Sequence, residues 1–186
     1  MARWIAAIVG LVCVALFACF KWEERQFRLS HVPAALNVST VLYANEQSWG
    51  LPFFPLPGDN ETGVIVYELP PATAKKIEEA GIEYFEKLPR TSGNGNLDWR
   101  GYYDEWKRTP VSELEWVNDP IDGSIFPEPT LDNFLSRYGF WIPVDPDVAR
   151  LINEAVANPG SYYARGRAGT LIVIPAKRKA AYVYVG

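Results

Sequence analysis

The sequence predicts one α+β domain, with a mostly antiparallel sheet of about four to six strands and two to four short helices, behind an N-terminal hydrophobic helix. Three observations predict it. Short β-branched and aromatic runs mix with short amphipathic stretches, without a strict strand–helix–strand rhythm. The chain closes on two apolar runs, 170–174 and 181–185, around a turn at 175–179, which makes a hairpin. Fifteen Pro and fourteen Gly argue against a helical bundle. Seven Trp, ten Tyr and nine Phe supply bulk for a core. A domain of this length buries roughly 70% of its unfolded surface.

The first element is the apolar segment. Trp4 to Phe20 is seventeen residues without a charge. As a helix it is about 25 Å long, the short end for a bilayer core of roughly 30 Å. Trp4 and Trp22 bracket it like interfacial anchors, and it has no polar stripe. Residues 1–25 are therefore expected to target a membrane, and 26–186 to form the globular domain. A retained signal anchor leads. A lipoprotein signal is the next reading, because Leu16-Phe17-Ala18-Cys19 resembles a lipobox with Phe17 out of pattern, and Cys19 would carry the lipid. A cleaved signal peptide lacks a clean A-x-A site. Basic residues lie on both sides of the segment; the very short N-terminal tail favours a domain outside the cytoplasm, on the periplasmic side.

The remaining elements follow in order. Residues 26–35 read as a linker or packed lead-in. Val38 to Ala44 is expected as a strand and 47–58 as a loop. Gly63 to Leu69 reads as an interior strand buried on both faces. Pro70 and Pro71 open a helix that runs to Ala80 and stops at Gly81. Ile82 to Leu88 is expected as a short strand. Residues 90–129 are irregular, with a helical turn at 102–107 and a strand at 112–117. Thr130 caps a helix to Tyr138 that Gly139 ends, and Asp145 or Asp147 starts another with Val148, Leu151, Ile152 and Ala155 on one face. Residues 162–165 form a further strand.

Chemistry is bounded by exclusion. Cys13 and Cys19 both lie in the apolar segment, so the domain has no disulfide and no thiolate metal site. A hydrolase triad would have to use the one histidine, His31, just past the apolar segment; one imidazole excludes a His-based metal site within a single chain, and His31 reads as a packing or interfacial residue. The glycines form no phosphate loop. No cofactor is expected.

Charge is uneven. Residues 46–132 carry seventeen acids and seven bases, whereas 161–186 carry five bases and no acid. Five scattered bases do not make a nucleic-acid stripe, so no nucleic-acid partner is expected. Glu46 and Trp49 follow the first strand, Asn60 and Glu61 precede the second, and Arg165 and Arg167 flank the turn before the hairpin. These six are the candidate binding residues, with Glu46 or Glu61 expected to pair with Arg165 or Arg167. Together the features point to a membrane-tethered envelope protein that binds a protein partner. Two alternatives come from other classes. One is a carbohydrate-binding module or carboxylate-dependent glycoside hydrolase, using Asp104, Glu105, Glu113, Glu115, Asp119 and Asp122 among Trp99, Tyr102, Tyr103, Trp106 and Trp116. The other is a dedicated assembly or inhibitor subunit.

Overall fold

A computed structural model of the chain describes residues 2–49, 60–88, 103, 105–112, 115–116, 128–136, 141–166 and 169–185. The chain begins with helix α1, Ala2–Leu29. A 3-10 turn, Ala34–Leu36, leads into strand β1, Thr40–Trp49, and β2, Asn60–Glu68. Helices α2, Pro71–Ala80, and α3, Ile82–Glu86, follow, then the short strand β3, Lys107–Arg108. Helices α4, Leu131–Leu135, and α5, Pro146–Ala157, precede the closing strands β4, Tyr162–Arg165, β5, Gly169–Ile174, and β6, Lys179–Val185.

All described strands join one antiparallel sheet in the order β1-β2-β6-β5-β4-β3. The chain's last strand is thus interior, between β2 and β5. Alternation along the interior strands splits the core in two. Val64, Val66, Ile172, Ala181 and Val183 face α4, α5 and Trp116. Ile65, Tyr67, Leu171, Val173 and Tyr182 face α2, α3 and the segment Leu29–Leu36. The near-continuous apolar run of β2 has this cause, since Val64 to Tyr67 are all buried between two helical layers.

Local chemistry accounts for the helix ends. Pro71 sits at the start of α2, where a missing N–H costs nothing. Gly81 ends that helix at φ +62°, donating its N–H to the Ile77 carbonyl. The Thr130 hydroxyl accepts from the Asn133 N–H to cap α4, and the Asp145 carboxylate accepts from the Asp147 and Val148 amides to cap α5.

Several expectations are corrected. Ile82–Glu86 is helical, not a strand. Phe85 packs on Trp106 and Tyr162, and Ile82, three residues earlier on the same face, packs against the same core cluster. Glu115 and Trp116 are helical as well, with the Ser112 carbonyl accepting from both amides, so the strand expected at 112–117 does not form. Ser112 acts as the cap, its hydroxyl accepting from the Glu115 N–H. Tyr103 bridges to Gly166 and Lys107 begins β3, so the described residues of 102–107 form no helical turn. Gln47 to Trp49 continue β1, paired with Thr62, Glu61 and Asn60, instead of opening a loop. The loop expected at 50–58, much of 90–129 and the Gly139 stop lie outside the described residues.

Helix α1 crosses the 25/26 boundary without a break. From Ile8 on, its apolar part lies open: Ile8, Val9, Leu11, Val12, Val14, Leu16, Phe17 and Phe20 are each more than half exposed, on every side of the helix. Its end is different. Leu29 packs on the second core cluster, and His31, Val32 and Leu36 beyond it are buried. Residues 26–36 are a packed lead-in. Because α1 runs on into Lys21, Glu23, Glu24 and Arg25, only part of it is apolar; among the described residues no helix is long and apolar enough to cross a membrane.

Candidate functional site

The polar centre of the molecule lies where α1 meets the sheet. Lys21, Glu24, Arg25 and Arg28 recur at three- and four-residue spacing and share one face of the helix. The Arg28 Nε donates to Glu46 Oε2 at 2.6 Å, and its Nη2 lies 2.8 Å from Glu24 Oε1. Glu24 also holds Lys21 at 2.7 Å. On the sheet side, the Tyr184 hydroxyl donates to Glu46 Oε1 at 3.1 Å.

Gly63 makes that last bond reachable. On the sheet it stands between Glu46 of β1 and Tyr184 of β6. A Cβ on Gly63 would fall 2.5 Å from both Cζ and the hydroxyl oxygen of Tyr184. Without one, the phenol crosses over β2 to reach β1.

Three more phenols hold the lead-in. Tyr67 donates to the Arg28 carbonyl at 2.7 Å, Tyr84 to that of Ala35 at 2.9 Å, and Tyr103 to that of His31. The Arg28 carbonyl lies in the last turn of α1 and takes its phenol from β2, whereas the His31 and Ala35 carbonyls follow the helix and Tyr84 reaches across from α3. The His31 ring is stacked on Tyr182, centroids 4.5 Å apart, with Phe27 edge-on at 5.2 Å. The histidine is a packing residue of the junction.

Electrostatics match this geometry. Burial acts to lower the Arg28 guanidinium, but the bond and charge of Glu46, with Glu24, outweigh it and raise it above its ordinary value. The bond from Lys21, with the charge of Arg28, holds the Glu24 carboxyl below the usual range against a desolvation cost. Burial, and next the Glu46 charge, push the Tyr67 and Tyr184 hydroxyls up, so both remain donors at any ordinary pH.

Between this helix face and the outer edge of β1 runs an open groove of about 460 Å³. Its walls are Lys21, Glu24, Arg25 and Arg28 on one side and residues 39–44 on the other. Consecutive residues of both parities line it, so its strand wall is the edge of β1 that no described strand pairs, rather than one face. The Arg25 guanidinium reaches across to the Ser39 carbonyl.

The expected pairing of Glu46 or Glu61 with Arg165 does not occur. Glu46 binds Arg28 and Tyr184. Arg165 lies on β4, four strands away in the sheet order, about 19 Å at 4.8 Å per strand. Glu61 is exposed, opposite Ser48, and its charge contributes to the raised Tyr184 hydroxyl. Trp49 and Asn60 face each other at the end of the β1–β2 ladder; their side chains, and Arg167 entirely, lie outside the described residues. Cys19 is exposed on the apolar part of α1.

A second polar cluster lies at the other sheet edge. Lys107 and the Tyr163 hydroxyl both donate to the Glu115 carboxylate. The bond from Lys107, then that from Tyr163, lowers the Glu115 carboxyl. Glu115 is the described member of the acidic aromatic stretch that forms these bonds; Asp104, Glu113, Asp119, Asp122, Trp99 and Tyr102 lie outside the described residues. The aromatic faces that can be followed are packed. Trp116 is buried with its indole N–H donated to the Thr130 carbonyl, Tyr103 is buried, and Trp106 stacks on Phe85 at 4.2 Å. Among the described residues no group of three His, Cys, Asp or Glu side chains could hold a metal ion.

Lys21, Arg25, Arg28, Gly63 and Tyr184 were not among the candidates from sequence. Two signals for them exist: the 21-24-25-28 spacing of charges just past an apolar run, and a glycine in a strand that is otherwise bulky. Comparison of the chain with family models, curated proteins and solved structures finds no match in any of the three.

Proposed function

We propose that the protein is a membrane-tethered binding module of the cell envelope, with its folded domain outside the cytoplasm and a protein partner as its target. One observation carries the tether: α1 leaves the domain with large apolar side chains exposed around its whole circumference. Such an apolar surface calls for a cover, and lipid is the cover that suits every side at once. The charge-free stretch of seventeen residues is at the short end for a span, which local bilayer thinning and snorkelling of Lys21 accommodate.

The short tail before Trp4 favours an outward domain. Lipidation of Cys19 is the variant of this reading in which the chain is cut before Cys19. It would keep Lys21 to Leu36, and hence the whole junction with the sheet, so either route leaves the domain intact. Intact mass of the membrane-extracted protein separates the two.

The binding role is supported by the uneven charge, seventeen acids and seven bases over residues 46–132 against five bases and no acid over 161–186. Alkaline extraction of membranes tests the tether. The protein is expected to stay in the pellet with integral proteins; recovery in the wash would reject it. Crosslinking of the membrane-extracted protein tests the partner, and repeated recovery of the chain alone counts against one.

A further inference from the structure

We infer that the groove between α1 and β1 is a binding site for the phosphate headgroup of an anionic lipid, a site that rests on the tether reading. The first argument is position. The apolar run ends at Phe20, and the groove's helix wall starts at the next residue and ends at Arg28. Seven residues of helix rise about 10 Å, comparable to the headgroup layer on one side of a bilayer, roughly 5–8 Å. A helix with Phe20 at the hydrocarbon boundary therefore sets the groove among the headgroups.

The second argument is donor chemistry. Lys21 and Arg25 are exposed on the groove, and the hydroxyl residues Ser39 and Thr40 stand opposite them. An ammonium, a guanidinium and hydroxyls are what a phosphate takes up. Arg28 is committed to Glu24 and Glu46 and serves as the scaffold. Lys21 is held by Glu24 and Arg25 by the Ser39 carbonyl, so both cations are fixed on the groove's walls, and with Arg28 they outnumber the one carboxylate lining it, Glu24. Leu42, about half exposed on the same wall, offers apolar contact to the glycerol and upper acyl chain.

The test uses the full chain in vesicles of phosphatidylcholine alone or mixed with phosphatidylglycerol, and native mass spectrometry of the lipids retained after detergent release. The expected result is selective retention of phosphatidylglycerol. Each basic group near a membrane surface changes affinity about fivefold, so the double variant Lys21→Gln, Arg25→Gln is expected to lower that preference roughly 25-fold. Arg28→Gln would break the junction itself, so Arg28 is kept, and the control is Lys75→Gln, Lys76→Gln, which removes two exposed bases outside the groove and is expected to keep the preference. Equal retention of the two lipids, or a preference that the double variant leaves intact, overturns the site while leaving the tether in place. A protein that enters neither vesicle overturns the tether reading instead. Protection of the protein by inorganic phosphate as strong as by the lipid reassigns the groove to free phosphate. Slowed amide exchange along β1 with a polyglutamate peptide, and none with phosphatidylglycerol, reassigns it to an extended protein segment; either result overturns the headgroup assignment.

Discussion

At the scale of single residues, the junction depends on what Gly63 lacks. Tyr184 reaches Glu46 only by lying over that glycine. Gly63→Ala is expected to push the phenol aside, break its bond and overpack the sheet, at about 1–3 kcal/mol in urea unfolding. Tyr184→Phe removes the bond without the clash and should cost less, about 1 kcal/mol. A Gly63→Ala protein as stable as the wild type would show that the crossing is unnecessary. Acid is the second test at this scale. The Glu24 and Glu115 carboxyls are both held below their ordinary range, Glu24 foremost by Lys21 and Glu115 foremost by Lys107. A lowered folded-state value means stability that is present above the unfolded value, about pH 4, and lost as pH falls through the folded one. Stability is therefore expected to drop below about pH 4, and Glu115→Gln to flatten part of that drop. An unchanged acid limb in this variant would contradict the pairing.

At the scale of elements, helix ends were the most legible part of the sequence. Pro71, Gly81, Thr130 and Asp145 each mark a helix boundary by local chemistry that needs no tertiary partner. Asp145→Ala should cost about 1 kcal/mol by removing the acceptor for two amides of α5; a smaller loss of helix stability than of a control surface Asp→Ala change would refute the cap. The strand–helix choice at 82–88 was not legible. Ile, Tyr and Phe suit a strand, yet the sheet edges go to β1 and β3, and Phe85 finds its contacts with Trp106 and Tyr162 from a helix. At 112–116 the spacing of Ser112 and Glu115 is that of a capping box, the local signal for the helical turn that forms there. The candidate site was read less well. Glu46 lies within β1 rather than after the strand, and its cation is Arg28, on the helix that precedes the strand, rather than Arg165. Strand order decides such pairings, and only long-range pairing reveals that β6 lies beside β2.

At the scale of the whole molecule, α1 has two characters along one uninterrupted helix. Its apolar part stands clear of the domain. Its end joins the fold through Arg28 with Glu46, the phenols of Tyr67, Tyr84 and Tyr103, and the buried His31, Val32 and Leu36. A tether welded in this way would hold the domain at a set height above the bilayer, with no flexible linker between them. Removing the junction should therefore be costly where removing the apolar part of α1 is not. A chain starting at Val38 loses three buried residues and the Arg28–Glu46 pair, and is expected to unfold at markedly lower urea or to fail to fold, a loss of several kcal/mol at 1.5–3 kcal/mol per buried apolar side chain, or roughly that. The most direct measurement compares the full chain with one starting at Lys21, each assayed for membrane partition and for its urea unfolding midpoint. The account predicts that the shortened chain leaves the membrane fraction and unfolds at the same midpoint as the full chain. A shortened chain that still sediments with membranes, or that unfolds at clearly lower urea, would contradict it.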